Sequence, residues 1–541
     1  MEEKVLVVDA NARGNGKRFS TLDVIGVGPR LITSLFRYYN LDAKLVAYES
    51  VAEDKQILEH YDALAISFMI SDVGAVRRLI NAWTRHNDGP IILGGGGALS
   101  NKVLSFLDFS LAFKGDAEVT LWQLFKEFRS LKEAYETLSK ERRTIKGLAI
   151  KTGEGNIIDG GLGIWTPKSM LNVIPVVEDL KTFPFYWASR IYVEVVRGCS
   201  NFRRAKYASG GIKCIDCGLC YTGPLNNRLT CPLGIPPGCG YCSVPTVHGP
   251  ARSRNIYIIA EEVEKLAKLG ASRIVLSAPD FLDFGRDELV DGHLTDPCNP
   301  PPNIEAIEKL LRELSKIPEV SSEKTVIMIE NLKPCLVNED VAEILGRYLR
   351  DTAVYMGVES CSDDLLIKIG RPATSESILK ALELLRKYGL RPYVYLMHGI
   401  PGETAEDIKK TIDCIDHLKR IGVEKITLYR FTPLPYTAFE GFPRPPPAVK
   451  DEVRKILYER VIAFNTEQKR SLVGKLIKAI VAGKHPHKKG FLIAYPQKHG
   501  PVILLQGSSK LVGHKVVARI EKVINDRVVI GSVIYVHERY L

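Results

Sequence analysis

Short apolar runs alternate with segments of helical periodicity over the first part of the chain. The apolar runs predict strands at residues 4–9, 43–48, 63–68, 91–93 and 111–113. The amphipathic segments between them predict helices, among them 30–39, 73–85 and 119–128. Strands that alternate with helices in short units are typical of a doubly wound parallel sheet, which binds ligands at the carboxyl ends of its strands. We therefore predict an α/β domain, with its connector, over residues 1–165.

The alternation then resumes and gives six further strands, at residues 191–196, 272–277, 325–329, 353–357, 392–397 and 425–429. Six parallel strands with helices between them predict a partial (β/α)6 barrel over residues 166–445. In such barrels the chemistry lies at the C-terminal ends of the strands. The first of these strands runs directly into Arg197-Gly198-Cys199, so this tripeptide is expected at the catalytic mouth.

A cluster of prolines from Pro433 to Pro447 ends the alternating pattern. A charged helical linker is predicted over residues 446–470. Residues 471–541 then show short strands separated by glycine, at 475–481, 491–494, 502–505, 515–520 and 527–534. This pattern predicts a small C-terminal β-barrel.

Length and composition exclude a single small module and a disordered chain. The 541 residues predict about three or four domains, and 45% hydrophobic with 25% charged residues is typical of globular proteins. The N-terminus lacks the pattern of a secretory signal, and no run reaches the roughly 18 apolar residues of a membrane span. We therefore expect a cytoplasmic protein that has no membrane partner.

The positive charge is confined to the C-terminal end. Residues 469–541 carry 14 Lys and Arg against three acids, an excess of 11 that equals the net charge of the whole chain. A charge excess confined to one module favours a polyanionic partner such as RNA, and a solvated basic surface is the alternative.

The cysteines predict metal sites. None of the 11 precedes Cys199, and seven fall between Cys199 and Cys242. In a reducing compartment such spacing favours metal over disulfides. Cys239 and Cys242 form a chelating pair, and with Cys199 they offer three thiolates, which can hold a [4Fe–4S] cluster with one iron open to a ligand. Zinc is the alternative at this site.

Four more cysteines resemble a ferredoxin run, although ten residues separate the last two: Cys214, Cys217, Cys220 and Cys231. They predict a second, fully ligated [4Fe–4S] cluster, with a structural zinc as the alternative. The isolated cysteines, by contrast, are expected to be small buried hydrophobic residues: Cys298, Cys335, Cys361 and Cys414.

Together these residues resemble the radical S-adenosylmethionine (SAM) superfamily. Arg197-Gly198-Cys199 and Gly238-Cys239-Gly240-Tyr241-Cys242 look like the two halves of its C-x3-C-x2-C motif, separated by an insertion over residues 200–238. The resemblance implies that Cys199, Cys239 and Cys242 hold the catalytic cluster that reductively cleaves SAM, with Tyr241 beside the cofactor. Cys231 is the alternative first ligand, and Cys199 is preferred because it follows the strand.

The likeness extends to motifs that contact SAM in this superfamily. Gly357-Val358-Glu359-Ser360, with Ile369-Gly370-Arg371, looks like the fourth-strand motif and implies that Glu359, Ser360 and Arg371 bind the ribose and methionine moieties. The segment 399–404 looks like the fifth-strand loop and implies that Gly402 lies along the adenine. Asp280 stands where the loop that meets the SAM amino group is expected, although the usual Gly-Gly-Glu is absent.

The segments before and after the radical SAM motifs resemble domains that occur in particular classes of radical SAM enzyme. The N-terminal part resembles the cobalamin-binding domain that precedes many radical SAM methyltransferases, which implies that loop residues such as Ser71, Gly94 and Gly95 contact cobalamin. No Asp-x-His-x-x-Gly motif is present, so no axial histidine is offered, and an empty domain is the alternative. Residues 472–534 are similar to a TRAM domain, the small barrel of tRNA-modifying methylthiotransferases, and imply RNA binding.

The leading hypothesis is a radical SAM enzyme that methylates an unactivated position in RNA. The expected RNA is tRNA, and an electron donor is expected as a second partner. Methylthiolation is the first alternative. Methylthiotransferases of this kind carry three cysteines in the N-terminal domain, and residues 1–198 contain none, although the inserted cysteines offer another sulfur source. A protein or lipid substrate and a non-enzymatic iron–sulfur RNA-binding regulator are the further alternatives.

Overall fold

The computed structural model describes residues 2–16 and 23–540; Met1, residues 17–22 and Leu541 lie outside the described residues. The strands are, in chain order, β1 (Lys4–Asp9), β2 (Val24–Ile25), β3 (Asp42–Ala47), β4 (Ala63–Ser67), β5 (Ile91–Gly94), β6 (Leu111–Phe113), β7 (Leu148–Lys151), β8 (Ile157–Asp159), β9 (Arg190–Glu194), β10 (Val196–Arg197), β11 (Arg252–Ser253), β12 (Arg273–Ser277), β13 (Val326–Ile329), β14 (Ala353–Glu359), β15 (Arg391–His398), β16 (Lys425–Arg430), β17 (Leu476–Lys484), β18 (Phe491–Pro496), β19 (Val502–Gln506), β20 (His514–Val523) and β21 (Val528–Arg539).

The α-helices are α1 (Gly28–Tyr38), α2 (Tyr48–Glu53), α3 (Val73–His86), α4 (Asn101–Leu104), α5 (Glu118–Glu127), α6 (Leu131–Glu141), α7 (Leu219–Thr222), α8 (Val244–His248), α9 (Ile256–Lys268), α10 (Ile304–Ser315), α11 (Pro318–Ser321), α12 (Glu339–Tyr348), α13 (Asp363–Lys368), α14 (Ser375–Lys387), α15 (Ala405–Ile421) and α16 (Glu452–Arg470). None of the helices described is both long enough and apolar enough to span a lipid bilayer.

The chain divides into two compact units, of which the first comprises residues 1–192 and 257–269. Its sheet has the order β3-β1-β4-β5-β6-β7-β8. The first five strands are parallel, which confirms the predicted parallel α/β sheet, and β1 is fully buried from Val5 to Val8. The last two strands are antiparallel. These two strands were not predicted from the sequence.

A buried ion pair ties helix α9 into the first unit. Arg30 of α1 and Glu262 of α9 have fully buried side chains, and their Nη2 and Oε1 atoms lie 3.0 Å apart. Arg30 also donates to the carbonyl oxygens of Val176 and Tyr192, both at 2.9 Å. The backbone thus accepts two of the hydrogen bonds that this buried guanidinium donates.

The second unit, residues 193–256 and 270–541, contains five of the six predicted barrel strands and the last two residues of the sixth, β9. All six predicted barrel strands are present, in one hydrogen-bonded run with the order β13-β12-β9 and another with the order β14-β15-β16. The amide of Leu332 donates to the carbonyl oxygen of Tyr355 at 2.9 Å and links the two runs. The strands paired as β12–β13, β14–β15 and β15–β16 are parallel, which confirms the predicted α/β architecture.

The C-terminal segment forms a closed barrel with the strand order β17-β18-β19-β21-β20, as predicted. It contacts the beginnings of the partial-barrel strands through residues 496–500. Lys498 Nζ lies 3.1 Å from Glu323 Oε1, His499 Nδ1 lies 2.8 Å from Glu424 Oε2, and the Gly500 amide donates to the Tyr393 hydroxyl at 3.1 Å. The small barrel therefore lies at the N-terminal ends of these strands, away from the mouth.

Four cysteines that were predicted to be isolated form two disulfide bonds. Cys298 is bonded to Cys335 and Cys361 to Cys414, with Cα atoms 5.7 and 6.3 Å apart. The prediction that they are isolated hydrophobic residues was wrong, because pairing across 37 and 53 residues leaves no signal in local spacing. The seven cysteines from Cys199 to Cys242 are not disulfide bonded, and their metal sites stay predictions.

Candidate active site

The structure brings the two halves of the cysteine motif together. Cys199 follows β10, and Cys239 and Cys242 lie in the turn before α8. Asn201 bridges the halves, since its backbone amide donates to Cys199 Sγ at 3.4 Å and its Nδ2 donates to Cys239 Sγ at 3.3 Å. The insertion returns to its starting point, where the Gly238 amide donates to the Arg203 carbonyl oxygen at 2.8 Å. Cys199 thus lies in one loop cluster with Cys239 and Cys242, although 39 residues separate Cys199 from Cys239 in the sequence.

Close packing explains the glycines beside these cysteines. A Cβ atom at Gly240 would lie 2.5 Å from the Phe439 ring, and one at Gly198 would lie 2.2 Å from the Pro250 carbonyl oxygen. Gly198 also has a φ of 79°, which residues with a Cβ rarely adopt. Neither position accepts a larger residue without moving the cysteine loop.

Burial and nearby cations act in opposite directions on the thiols of this loop. Burial raises the pKa of Cys199 to about 11 and that of Cys242 to about 12. Both are therefore neutral thiols at neutral pH in the metal-free protein, and metal binding would displace their protons. Arg371 Nη1 lies 3.9 Å from Cys239 Sγ, and the Lys333 ammonium acts on Cys199, so two cations face the sulfur atoms.

This difference in acidity predicts a labelling order. In metal-free, reduced protein at pH 8, iodoacetamide should modify the exposed Cys217 first and Cys199 and Cys242 far more slowly. The thiolate is the nucleophile, and its fraction falls about tenfold for each unit by which the pKa exceeds the pH. Peptide mapping by mass spectrometry gives the rates. Equal rates at the three sites would contradict the prediction.

The donor set fits an iron–sulfur cluster. It consists of three free thiols at a strand end, with N–H groups directed at two of the sulfur atoms, an arrangement that tunes such clusters. Across the described residues, no three His, Cys, Asp or Glu side chains are close enough to hold a single metal ion. Three cysteines that each bind a different iron of a four-iron cluster need not meet around one ion.

The predicted SAM motifs lie beside this cluster of cysteines. Glu359 is buried with a φ of 64°, and burial raises the pKa of both its carboxyl group and the Tyr241 phenol, which are hydrogen bonded to each other. Arg371 Nη2 lies 3.9 Å from Glu359 Oε1 and also donates to the Gly357 carbonyl oxygen. Tyr241, Glu359 and Arg371 therefore form one group next to Cys239.

The fifth-strand loop is covered by the insertion. Gly402 has a φ of 79°, and a Cβ there would lie 2.5 Å from the Tyr207 hydroxyl, which donates to the Pro401 carbonyl oxygen. Tyr207 stacks on Phe439 at 5.2 Å between ring centroids. The Ser360 hydroxyl is buried, and its Oγ lies 3.0 Å from Thr411 Oγ1. The roles of Gly402 and Ser360 toward SAM stay predictions.

Asp280 belongs to a buried charge network that was not predicted from the sequence. Its carboxylate accepts hydrogen bonds from the Leu282 and Lys333 amides and lies 3.0 Å from Lys333 Nζ. Lys333 Nζ is also 2.7 Å from both Asp283 Oδ2 and Ser200 Oγ, and Arg286 pairs with Asp283. The only sequence signal was charged residues in a stretch rich in Phe, Leu and Gly. A role for Asp280 at the SAM amino group stays a prediction.

The inserted cysteines lie in an electropositive segment anchored near the SAM motifs. The Cys214 amide donates to the Lys206 carbonyl oxygen at 2.9 Å, and the Lys206 amide donates to the Lys368 carbonyl oxygen at 2.8 Å. Arg203 and Lys206 lie 5.1 and 5.6 Å from the ring of Tyr221, which follows Cys220. The second cluster stays a prediction. The four cysteines that would hold it carry free thiols: Cys214, Cys217, Cys220 and Cys231.

In the first unit, the predicted cobalamin loops form a defined edge of the sheet. Buried Asp72 accepts hydrogen bonds from the amides of Gly14 at 2.8 Å and of Met69 at 3.1 Å, and so fixes the loops after β1 and β4. Ser71 is exposed, and Gly95 has a φ of 88°. A Cβ at Gly94 would meet no atom within 4 Å. The edge thus leaves open space beside Gly94, and the cobalamin contacts of Ser71, Gly94 and Gly95 stay predictions.

Part of the chain matches a known family, and several known proteins are similar to it in sequence. The model of the radical SAM superfamily matches residues 230–415, a range that includes Cys231 but not Cys199. An uncharacterised protein of Methanopyrus kandleri is 38% identical over 99% of this chain and 97% of its own length. The uS12 methylthiotransferase of Syntrophobacter fumaroxidans is 26% identical over 52% of this chain and 62% of its own. The tRNA-2-methylthio-N(6)-dimethylallyladenosine synthase of Thermus thermophilus is 25% identical over 54% and 59%.

Two solved structures share the fold. The radical SAM methyltransferase TsrM of Kitasatospora setae, with cobalamin and a [4Fe–4S] cluster bound, superposes with a TM-score of 0.56 at 16% identity, over 81% of this chain and 74% of its own. The cobalamin-dependent SAM radical enzyme OxsB superposes with a TM-score of 0.53 at 13% identity, over 85% of this chain and 56% of its own. Residues 230–415 therefore form a radical SAM domain, within a chain that shares the fold of these two structures.

Proposed function

We propose that this protein is a cobalamin-dependent radical SAM methyltransferase that acts on RNA, with tRNA as its substrate. The observation that carries the proposal is the first unit, whose parallel sheet presents the open Gly94 edge and contains no cysteine. The first unit therefore offers no cysteine ligands for a cluster that donates sulfur. The edge instead offers room for cobalamin without an axial histidine, and both structural neighbours named above contain cobalamin.

The residues of the second unit have distinct tasks in this proposal. Cys199, Cys239 and Cys242 would hold a [4Fe–4S] cluster, which when bound supplies the electron for SAM cleavage. Arg371 and Glu359 form the polar wall beside Cys239. Tyr207 closes the Pro401–Gly402 side of the pocket and limits access of water to a reactive intermediate.

The C-terminal barrel is proposed to bind RNA in the manner of a TRAM domain. Its exposed hairpin between β17 and β18 carries Lys484, Lys488 and Lys489, and Tyr535 is 58% exposed. Tyr495 is buried instead, with the Arg273 guanidinium 5.1 Å from its ring, so it packs against the partial barrel and offers no face to a base. The tRNA-modifying relative supports the choice of RNA.

Charge removal at this hairpin tests the RNA interface. The double change Lys488→Gln and Lys489→Gln should reduce the slope of log Kd for bulk tRNA against log salt by about 0.7 to 0.9 for each phosphate that a lysine no longer neutralises. Lys498→Gln is the matched control, because Lys498 pairs with Glu323 within the protein. Filter binding at several salt concentrations gives the slopes. An unchanged slope in the double variant would place the RNA elsewhere.

Methylthiolation is the second candidate, because the inserted cysteines lie next to a SAM motif. Only two backbone hydrogen bonds separate Cys214 from Lys368, which precedes Ile369-Gly370-Arg371. A second cluster in the insertion would then donate sulfur. The mass of the modified nucleoside decides, since methylation adds one methyl group and methylthiolation adds one methyl group and one sulfur atom.

The proposal is tested by 5′-deoxyadenosine formation in anaerobic, reconstituted protein with and without bulk tRNA. Stimulation by tRNA, a cobalamin absorbance spectrum and a gain of one methyl group are expected. Iron analysis in parallel should give roughly eight iron atoms per chain if the insertion also holds a [4Fe–4S] cluster, and roughly four if it does not. Cleavage that tRNA leaves unchanged would favour a protein or lipid substrate, and intact clusters without cleavage would favour a regulator.

A further inference from the structure

The sheet formed by β14, β15 and β16 has two faces of different burial. One face is closed, since Val394 and Leu396 of β15 and Val358 of β14 are fully buried. On the other face the alternating positions are less buried, including Tyr355 and Tyr395. The less buried face belongs to the inside of the partial barrel, because Gly357 shares it and a Cβ there would meet Glu359 and Arg371.

A continuous row of tyrosine rings occupies this inner face. The register pairs Gly357 with Tyr395 and Met397 with Tyr429, so the rings of adjacent strands point the same way. The rings of Tyr355 and Tyr395 are stacked at 5.7 Å with an interplanar angle of 21°. Tyr395 and Tyr429 meet at 5.3 Å with an angle of 61°. We call these three residues, Tyr355, Tyr395 and Tyr429, the tyrosine row.

The row leads from the SAM motif to an open side of the barrel. It begins two residues before Gly357 and ends at Tyr429, which is 48% exposed. The lower end is closed, because the Gly500 amide donates to the Tyr393 hydroxyl and Asn465 of α16 bonds to both backbone groups of Ile426. Access to the row is therefore from the side of Tyr429, near the carboxyl end of β16.

We propose that the tyrosine row is the substrate platform, on which a planar nucleobase of the RNA stacks beside the SAM pocket. The inference rests on the proposed function and specifies its substrate contact. Phenol rings accept any base because every base has a π-face, and an enzyme that modifies a base must hold it out of the helical stack. Tyr429 presents the entry surface, and Tyr395 continues the platform inward.

The experiment uses the reconstituted holoenzyme and two probes: bulk tRNA, and a single-stranded RNA oligonucleotide that carries the fluorescent base 2-aminopurine. In the wild type, stacking on the row should quench the 2-aminopurine emission. Tyr429→Leu should weaken oligonucleotide binding by about 5- to 100-fold, remove the quench and raise the KM for tRNA more than it changes kcat. Tyr429→Phe, which keeps the ring, should restore all three.

Tyr257→Leu is the matched control, because Tyr257 is 63% exposed and lies outside the row. Iron content and circular dichroism establish that each variant is folded. Wild-type protein that binds tRNA without quenching the probe would overturn the platform, as would a folded Tyr429→Leu that quenches like the wild type. Wild-type protein that binds neither RNA would instead overturn the proposed function, and the nucleobase assignment with it.

Discussion

Replacing Cys242 by alanine should reduce the formation of 5′-deoxyadenosine from SAM to the level without enzyme. The change removes one of the three cysteines of the loop: Asn201 contacts the other two, Cys199 and Cys239, and both of these and Arg371 act electrostatically on Cys242. With two protein ligands the cluster loses the coordination that holds it at the strand end. High-performance liquid chromatography of dithionite-reduced reactions measures the product, and the visible absorbance of the reconstituted protein reports the cluster independently of turnover.

Two further cysteine variants give this prediction its controls. Cys298→Ser removes a cysteine of the same unit that is bonded to Cys335 and should leave SAM cleavage intact. Cys199→Ala should behave like Cys242→Ala, because the Cys199 sulfur lies in the same hydrogen-bonded group. If Cys199→Ala kept its cluster and Cys231→Ala lost it, the first ligand would be Cys231. Retained turnover in Cys242→Ala would contradict the three-cysteine site altogether.

Much of the fold could be predicted because its signals are local. The apolar run Lys4–Asp9 indicated a strand, and the short apolar segments separated by glycine in 471–541 indicated a small barrel; both are present. The cysteine loop was also predictable, since Cys239 and Cys242 are close in sequence and Cys199 ends a strand. Their approach across the insertion then follows from its closure at Arg203 and Gly238.

What could not be predicted depends on contacts between distant segments. The Cys361–Cys414 bond joins residues 53 positions apart, and the Lys333–Asp283 pair joins residues 50 positions apart. Neither partner of such a pair carries a local pattern that selects the other. The position of the small barrel at Glu323 and Glu424 has the same origin, because surface complementarity between two modules leaves no periodicity in either sequence.

The second large expected effect is a loss of stability when the buried charge network of Asp283, Lys333 and Arg286 is disrupted. Asp283 is fully buried between Lys333 and Arg286, and it also accepts a hydrogen bond from the Ser200 hydroxyl at 2.8 Å. Burial alone would raise the pKa of this carboxyl group, but the charges of Lys333 and Arg286 outweigh burial and hold the pKa below its ordinary value. Ser200 follows Cys199, which is the proposed first cluster ligand, so the network also holds the start of the cysteine loop.

Asp283→Asn should therefore lower the free energy of unfolding by about 3–5 kcal/mol at pH 7, because it leaves two buried cations with only the Asp280 carboxylate between them. The shift of the urea midpoint measures the loss. Glu308→Gln is the control, since Glu308 pairs with a half-exposed Arg347 and its removal should change stability by less than about 1 kcal/mol.

The pH dependence separates a charge effect from a packing defect. A lowered folded-state pKa means that the contribution of Asp283 is present above its unfolded pKa of about 3.9 and is lost as the pH falls through the folded value. The difference in urea midpoint between wild type and Asp283→Asn should thus stay constant from pH 8 to about pH 5 and shrink at lower pH. If the difference is instead independent of pH down to about pH 3, the amide acts by altered packing, and the ion pairs with Lys333 and Arg286 contribute little to the loop that carries Cys199.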